Sequence, residues 1–184
     1  MCPDVLLATS PPAEQMPFAD VYKEHAAFVW RSLRRLGVRP ADLEDVAQET
    51  FVVVHAKLAT FRGGSMKSWI FAIAVRIAAD YRKRAHVRRE LTTEAGVVDA
   101  EVPEGQSEAL ERARAREVLQ SILMSLDDDK RAIFVAYELD GMPMSDVALA
   151  LDCPVQTAYS RLHAARAEVT AGIERYARKG GKPR

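Results

Sequence analysis

Apolar residues recur at helical spacing along nearly the whole chain, and no segment alternates with the two-residue period of a half-buried strand. The one β-branched run, Val52-Val53-Val54, lies inside a helical pattern. The fold is therefore expected to be all-α. A first helix is predicted from Phe18 to Leu36, with Phe18, Val21, Tyr22, Phe28, Val29, Leu33 and Leu36 on its apolar side and Gly37 as its stop. Pro40 and Asp42 open a second helix with the stripe Leu43, Val46, Ala47, Phe51, Val54 and Leu58, broken by Gly63-Gly64. A third follows with Ile70, Ile73, Ala74, Ile77 and Tyr81. Three helices with matched apolar faces make one small bundle.

Periodicity stops between Leu91 and Ser107, where Thr92-Thr93, Gly96, Pro103, Gly105 and several acids predict an extended, flexible linker. Helices resume near Glu108. Leu110, Ala113, Val118, Ile122 and Leu126 mark one. Asp128 or Asp129 is expected to cap the next, with Ile133, Phe134, Tyr137 and Leu139 as its apolar set. Gly141 and Pro143 end it, Ser145 is expected to cap a short helix through Leu151, and Pro154 to begin a last one reaching Tyr176. The expected organisation is a disordered tail (1–17), a helical bundle (18–90), an acidic linker (91–107), a second helical unit (108–176) and a basic tail (177–184).

Several functions are disfavoured. No apolar run reaches the roughly 18 residues of a membrane span, and the first residues lack the basic and apolar regions of a secretory signal, so a cytoplasmic location without membrane insertion is expected. Cys2 and Cys153 form neither a CxxC pair nor a disulfide framework, and His25, His55, His86 and His163 show no metal-ligand spacing. No nucleophile set, phosphate loop or paired carboxylates point to an enzyme or to a cofactor.

The formal net charge is zero, yet the charges are segregated. Arg76, Arg82, Lys83, Arg84, Arg88 and Arg89 crowd one stretch, and Arg161, Arg166, Arg175, Arg178, Lys179, Lys182 and Arg184 another. Acids collect from Asp42 to Glu49 and from Glu94 to Asp129. Local potential decides what a surface attracts, so at least two kinds of partner are expected.

Residues 145–166 read SDVALALDCPVQTAYSRLHAAR. A short helix, a tight turn and a longer helix, with Val147, Ala148 and Leu151 facing Ala158, Leu162 and Ala165, give helix-turn-helix geometry. The outward face of the second helix carries Gln156, Tyr159, Ser160 and His163, suited to base edges, while Arg161 and Arg166 are suited to phosphates. Residues 126–166 resemble the segment of bacterial sigma factors that binds the −35 promoter element. Leu126, Arg131, Phe134, Gly141, Ser145, Pro154, Thr157, Ser160, Arg161, Leu162 and Arg166 match its pattern. Asp152 stands where the family has a turn glycine. The resemblance adds Thr157 to the −35 set.

The N-terminal half is similar to the same family. DLEDVAQETF resembles its polymerase-docking segment, which implies that Asp45, Gln48 and Glu49 meet the clamp helices of the largest polymerase subunit. SMKSWIFAIAVRIAADYRKR resembles the segment that, with the loop before it, reads the −10 element. The implied −10 residues are Arg62, Ser65 and Lys67 around the Gly63-Gly64 loop, and Arg76, Asp80, Lys83 and Arg84 on the third helix; Trp69 begins the apolar stripe and is read as core. Both halves in this order resemble the small extracytoplasmic-function sigma factors. That implies core RNA polymerase, promoter DNA and an anti-sigma factor as partners. The alternative is a helix-turn-helix regulator that acts without docking on polymerase.

Overall fold

The computed structural model describes residues 17–91 and 107–178, with side chains described for 17–85 and 111–178. The expected tail, linker and basic end, and the side chains of Arg88 and Arg89, lie outside the described residues. Seven helices and no strand are found among the described residues: α1 Phe18–Arg35, α2 Leu43–Lys57, α3 Met66–Leu91, α4 Ser107–Ser125, α5 Asp128–Phe134, α6 Met144–Ala150 and α7 Val155–Arg178. A 3-10 turn, Pro40–Asp42, leads into α2, another, Leu58–Thr60, follows it, and α5 runs into a π-helical turn, Val135–Leu139.

The N-terminal bundle forms as the apolar pattern requires. Val21, Phe28, Val29, Leu33 and Leu36 are buried against Val46, Ala47, Phe51 and Val54. α1 ends where expected, because the amides of Gly37 and Val38 bond the carbonyls of Arg34 and Leu33. That closure needs the left-handed conformation of Gly37 (φ 103). α3 buries more than its predicted stripe: Phe71 and Ala78 are fully enclosed as well, and Phe71 lies 6.2 Å from the ring of Phe28.

The C-terminal unit depends on a buried cation. Arg131 is 5% exposed and donates to the carbonyls of Leu123 (2.7 Å) and Leu126 (2.5 Å) at the end of α4 and to Asp128 (3.0 Å). The guanidinium thereby satisfies carbonyls that the end of a helix leaves without partners. Burial works against the Asp128 carboxylate, but hydrogen bonding and charge from Arg82, with help from Arg131, hold it below its ordinary pKa.

Three expected caps differ. Asp127, not Asp128 or Asp129, caps α5, accepting the Lys130 amide at 2.9 Å, because it alone has the extended backbone of a cap (ψ 164). Ser145 lies inside the first turn of α6, whose cap position is Pro143. Pro154 precedes α7 rather than starting it, and its carbonyl accepts the Ala158 amide.

The two units touch. α3 packs on α6, and the π-helical turn packs on α1. Arg35 pairs with Asp140 at 2.5 Å, and Arg82 with Asp128 at 2.8 Å.

His25 is buried in α1 (8% exposed). Burial pushes its pKa below the ordinary 6.5, Lys67 adds to this, and Glu24 opposes it. The neutral form is therefore favoured in the fold, while the unfolded chain takes up a proton as the pH drops through 6.5. Stability should fall as the pH is lowered below about 6.5, and His25→Gln should flatten that part of the curve; urea titrations of both proteins at pH 5 to 8 check it.

Candidate nucleic-acid interface

The helix-turn-helix is present with the predicted packing. Val147 and Ala148 on α6 are buried with Ala158, Leu162 and Ala165 on α7. The turn closes through the Cys153 amide on the Ala148 carbonyl (3.0 Å) and needs Asp152 at φ 49. Among described residues other than glycine, only Asp152 has a positive φ, and aspartate tolerates that region better than most.

One face of α7 is open. Gln156, Tyr159, Ser160 and His163 are exposed, at spacings that align them along the helix, and Thr157 is half-buried beside them. Val155 and Tyr159 leave 46% and 49% of their surface in solvent at its N-terminal end, the part of a recognition helix that meets base edges. The Ser160 hydroxyl donates to the Gln156 carbonyl (3.0 Å). Both arginines are already paired. Arg161 bonds Asp129 (2.9 Å), and Arg166 bonds Glu138 (2.5 Å) with its guanidinium 5.8 Å from the Tyr137 ring. Sequence pattern had marked these cations but not their acidic partners on α5 and the π-helical turn.

The N-terminal candidates form two groups. Asp45, Gln48 and Glu49 are exposed on one face of α2, and Val52 extends that face with 62% of its surface in water. A groove beside it is lined by Phe18, Tyr22, Trp30, Gln48, Val52 and His55. Its aromatic lining was not foreseen; the signal available was Trp30, a large apolar residue off the core stripe of α1. Glu49 also reaches Arg84 on α3 (3.2 Å), and a small cleft joins Asp45, Glu49, Tyr81 and Arg84. One docking candidate and one −10 candidate are therefore brought together.

The loop before α3 is open. Gly63 and Gly64 have φ 97 and 87, and a side chain built on either would meet nothing within 4 Å. Two successive left-handed residues suit glycine and leave the backbone accessible to a flat ligand. Around them Arg62 is exposed and bonds the Ala59 carbonyl (2.7 Å), while the Ser65 hydroxyl caps α3 by accepting the Ser68 amide (3.1 Å). Trp69 is half-buried, 5.5 Å from the Phe61 ring, at the base of the loop. Arg76, Asp80, Lys83 and Arg84 are exposed on α3, with Asp80 and Lys83 3.9 Å apart. Lys67 is the exception: it turns inward, its ammonium 5.0 Å from the Phe28 ring and 2.6 Å from the Asp140 carbonyl. No metal-ligand cluster occurs among the described residues.

Comparison with known proteins agrees with this layout. Residues 21–88 match the Sigma-70 region 2 family and residues 116–169 the Sigma-70 region 4 family. The chain is 30% identical over 147 residues to the ECF RNA polymerase sigma-E factor of Salmonella typhimurium strain LT2, covering 74% of this chain and 76% of the relative. It is 28% identical over 166 residues to the RNA polymerase sigma factor NccH of Alcaligenes xylosoxydans xylosoxydans, covering 88% and 89%. Two solved structures share the fold: CnrH in complex with the cytosolic domain of CnrY (TM-score 0.65, 24% identity, 88% and 92% covered), and the Bartonella quintana sigma factor RpoE with the anti-sigma factor NepR (0.60, 22%, 83% and 96%).

Asp152→Val should destabilise the protein by about 1–2 kcal/mol, because a β-branched residue resists the left-handed backbone, whereas Asp152→Gly should not. Thermal unfolding of the two variants beside the parent protein checks it.

Proposed function

The chain belongs to the extracytoplasmic-function sigma factors of RNA polymerase, and from that premise we propose how its residues divide the work of promoter recognition. One chain holds an acidic, exposed docking face on α2 and a solvent-facing recognition helix in α7, each within the segment matched by the corresponding family model. That pairing carries the reading. As a sigma factor the protein is not an enzyme, and it acts in the cytoplasm with core polymerase.

Docking rests on Asp45, Gln48 and Glu49. Carboxylates facing a basic partner orient the encounter and speed it more than they raise affinity. The aromatic groove beside them supplies apolar area that only contact can remove from water. The opened −10 strand is met by the Gly63-Gly64 loop with Arg62, Ser65 and Lys67, and by Arg76, Asp80, Lys83 and Arg84. Separating base pairs costs a few kcal/mol, which single-strand contacts must offset. The −35 duplex takes α7 in its major groove, with Gln156, Thr157, Tyr159, Ser160 and His163 toward the bases and Arg161 and Arg166 on phosphates. The Arg166–Glu138 pair is exposed at the arginine and so is worth no more than about 1 kcal/mol. Exchanging the carboxylate for a phosphate is therefore inexpensive. Restraint by an anti-sigma factor belongs to the same reading, since the Bartonella factor was solved with the anti-sigma factor NepR.

Reversing charge at Asp45 and Glu49 together should abolish capture of core polymerase while leaving circular dichroism unchanged; undiminished capture defeats the docking assignment. Arg166→Ala should weaken a −35 duplex and lower the slope of log K against log salt by about 0.9, the share of one phosphate. Glu138→Gln should instead strengthen binding, by up to about fivefold, as expected for releasing a pair worth no more than ~1 kcal/mol. Fluorescence anisotropy at several salt concentrations reads both.

A further inference from the structure

The open face of α7 carries two kinds of side chain. Gln156, Ser160 and His163 form a polar row on the side away from the buried Ala158, Leu162 and Ala165. Val155 and Tyr159, one turn apart, form a second row along its flank, and at helical spacing Arg166 continues that row toward the C-terminal end. Val155 and Tyr159 are large and apolar, yet 46% and 49% of their surface meets water. Val155 is the first residue of α7, so its side chain stands at the tip of the helix. The fold does not call for valine there. The side chain lies outside the apolar core, and the backbone bonds that close the turn run through the Cys153 amide and the Pro154 carbonyl. A β-branched residue is also a poor helix former.

We propose that Val155, backed by the Tyr159 ring, reads the C5-methyl group of a thymine in the −35 element and is a specificity-determining residue at that base pair. This rests on the sigma-factor reading above, in which α7 lies in the major groove. The residues at the start of a recognition helix are the ones that meet base edges, which puts Val155 in reach. Thymine alone presents a methyl group in that groove, and apolar contact is the means of reading it. The methyl projects on the side of its own strand's backbone, so it lies between the base edges and a phosphate wall. The Val155–Tyr159 row holds the matching position on α7. Beside it runs the polar row suited to base edges, and the flank that bears it also bears Arg166, assigned to a phosphate. Contact with the methyl removes apolar surface from water on both partners. A cytosine in the same place would present its amino donor to a side chain that cannot accept a hydrogen bond, which costs binding.

The experiment selects −35 sequences from a randomised promoter library with holoenzyme assembled from the full chain and core polymerase. Each thymine of the selected element is then replaced by deoxyuridine, which lacks only the methyl. One replacement should weaken binding by the parent protein about fourfold, the effect of returning one methyl group to water. Val155→Ser should bind the thymine and deoxyuridine duplexes alike at that position, and a library selected with it should lose the thymine there and nowhere else. Tyr159→Ala should reduce the methyl effect without moving it to another base pair. Thermal unfolding of Val155→Ser should match the parent, and the deoxyuridine comparison on the parent needs no variant at all. Equal binding of every deoxyuridine duplex overturns the proposal, and so does a methyl effect that persists undiminished in Val155→Ser. Holoenzyme that selects no upstream element and starts no transcript from the library would instead defeat the sigma-factor reading, and this inference with it. Successful selection without any methyl effect defeats this inference alone.

Discussion

The double burial of α3 is the constraint from which the rest of the structure follows. Ile70, Ile73, Ala74 and Ile77 remove one side of it from water within the bundle. Ser68, Phe71, Ala78 and Arg82, successively three, seven and four residues apart, line a second side that meets α1 and, through Ser68 and Arg82, the C-terminal unit. Deleting a buried phenyl ring such as that of Phe71 typically costs about 3–5 kcal/mol, a large part of a domain's total stability. The helix proposed to present cations to DNA is therefore also one buried on two sides. Its exposed residues, Arg76, Asp80, Lys83 and Arg84, are held on a rigid support.

The C-terminal unit solves a different problem. α5 and α6 are short, and short helices gain little from their own backbone bonds. Arg131 compensates by joining the carbonyl end of α4 to the start of α5 through four groups: the carbonyls of Leu123, Met124 and Leu126 and the carboxylate of Asp128. Asp128 in turn bonds Arg82 on α3. One buried cation and one carboxylate thus connect the local cap of a helix with the seam between the units. Packing of Val147 and Ala148 on Ala158, Leu162 and Ala165 then fixes the angle at which α7 leaves the surface.

Most of this architecture was legible in the sequence because it rests on periodicity and on stop signals. Every residue placed in the stripe of α2 is buried or partly buried, and Gly37 ends α1 through the backbone bonds that glycine favours. The helix-turn-helix was legible down to its turn, where Asp152 takes the left-handed conformation. Phe71 and Ala78 were missed because a single stripe assumes one buried side, and nothing local signals a second partner. The contacts of Asp140 were illegible for the same reason. Arg35 and Asp140 are far apart in sequence, and a carboxylate before a glycine at a helix end reads as solvated. The cap of α5 lies one or two residues before the expected Asp128 or Asp129 because three successive aspartates offer the same chemistry, and only backbone conformation distinguishes them.

The zero net charge now has a structural meaning. Several cations proposed for DNA contacts sit beside an acid of the same chain: Arg84 by Glu49, Arg161 by Asp129 and Arg166 by Glu138. Non-specific binding to DNA is almost wholly electrostatic and scales with the number of phosphates neutralised. A cation that must first leave a carboxylate gains less from any single phosphate than a bare one does. Only a site that offers several phosphates and the right base edges together can displace several pairs at once. If these cations meet phosphates as proposed, the internal acids lower affinity for DNA of any sequence, and base contacts carry a larger share of what binding remains.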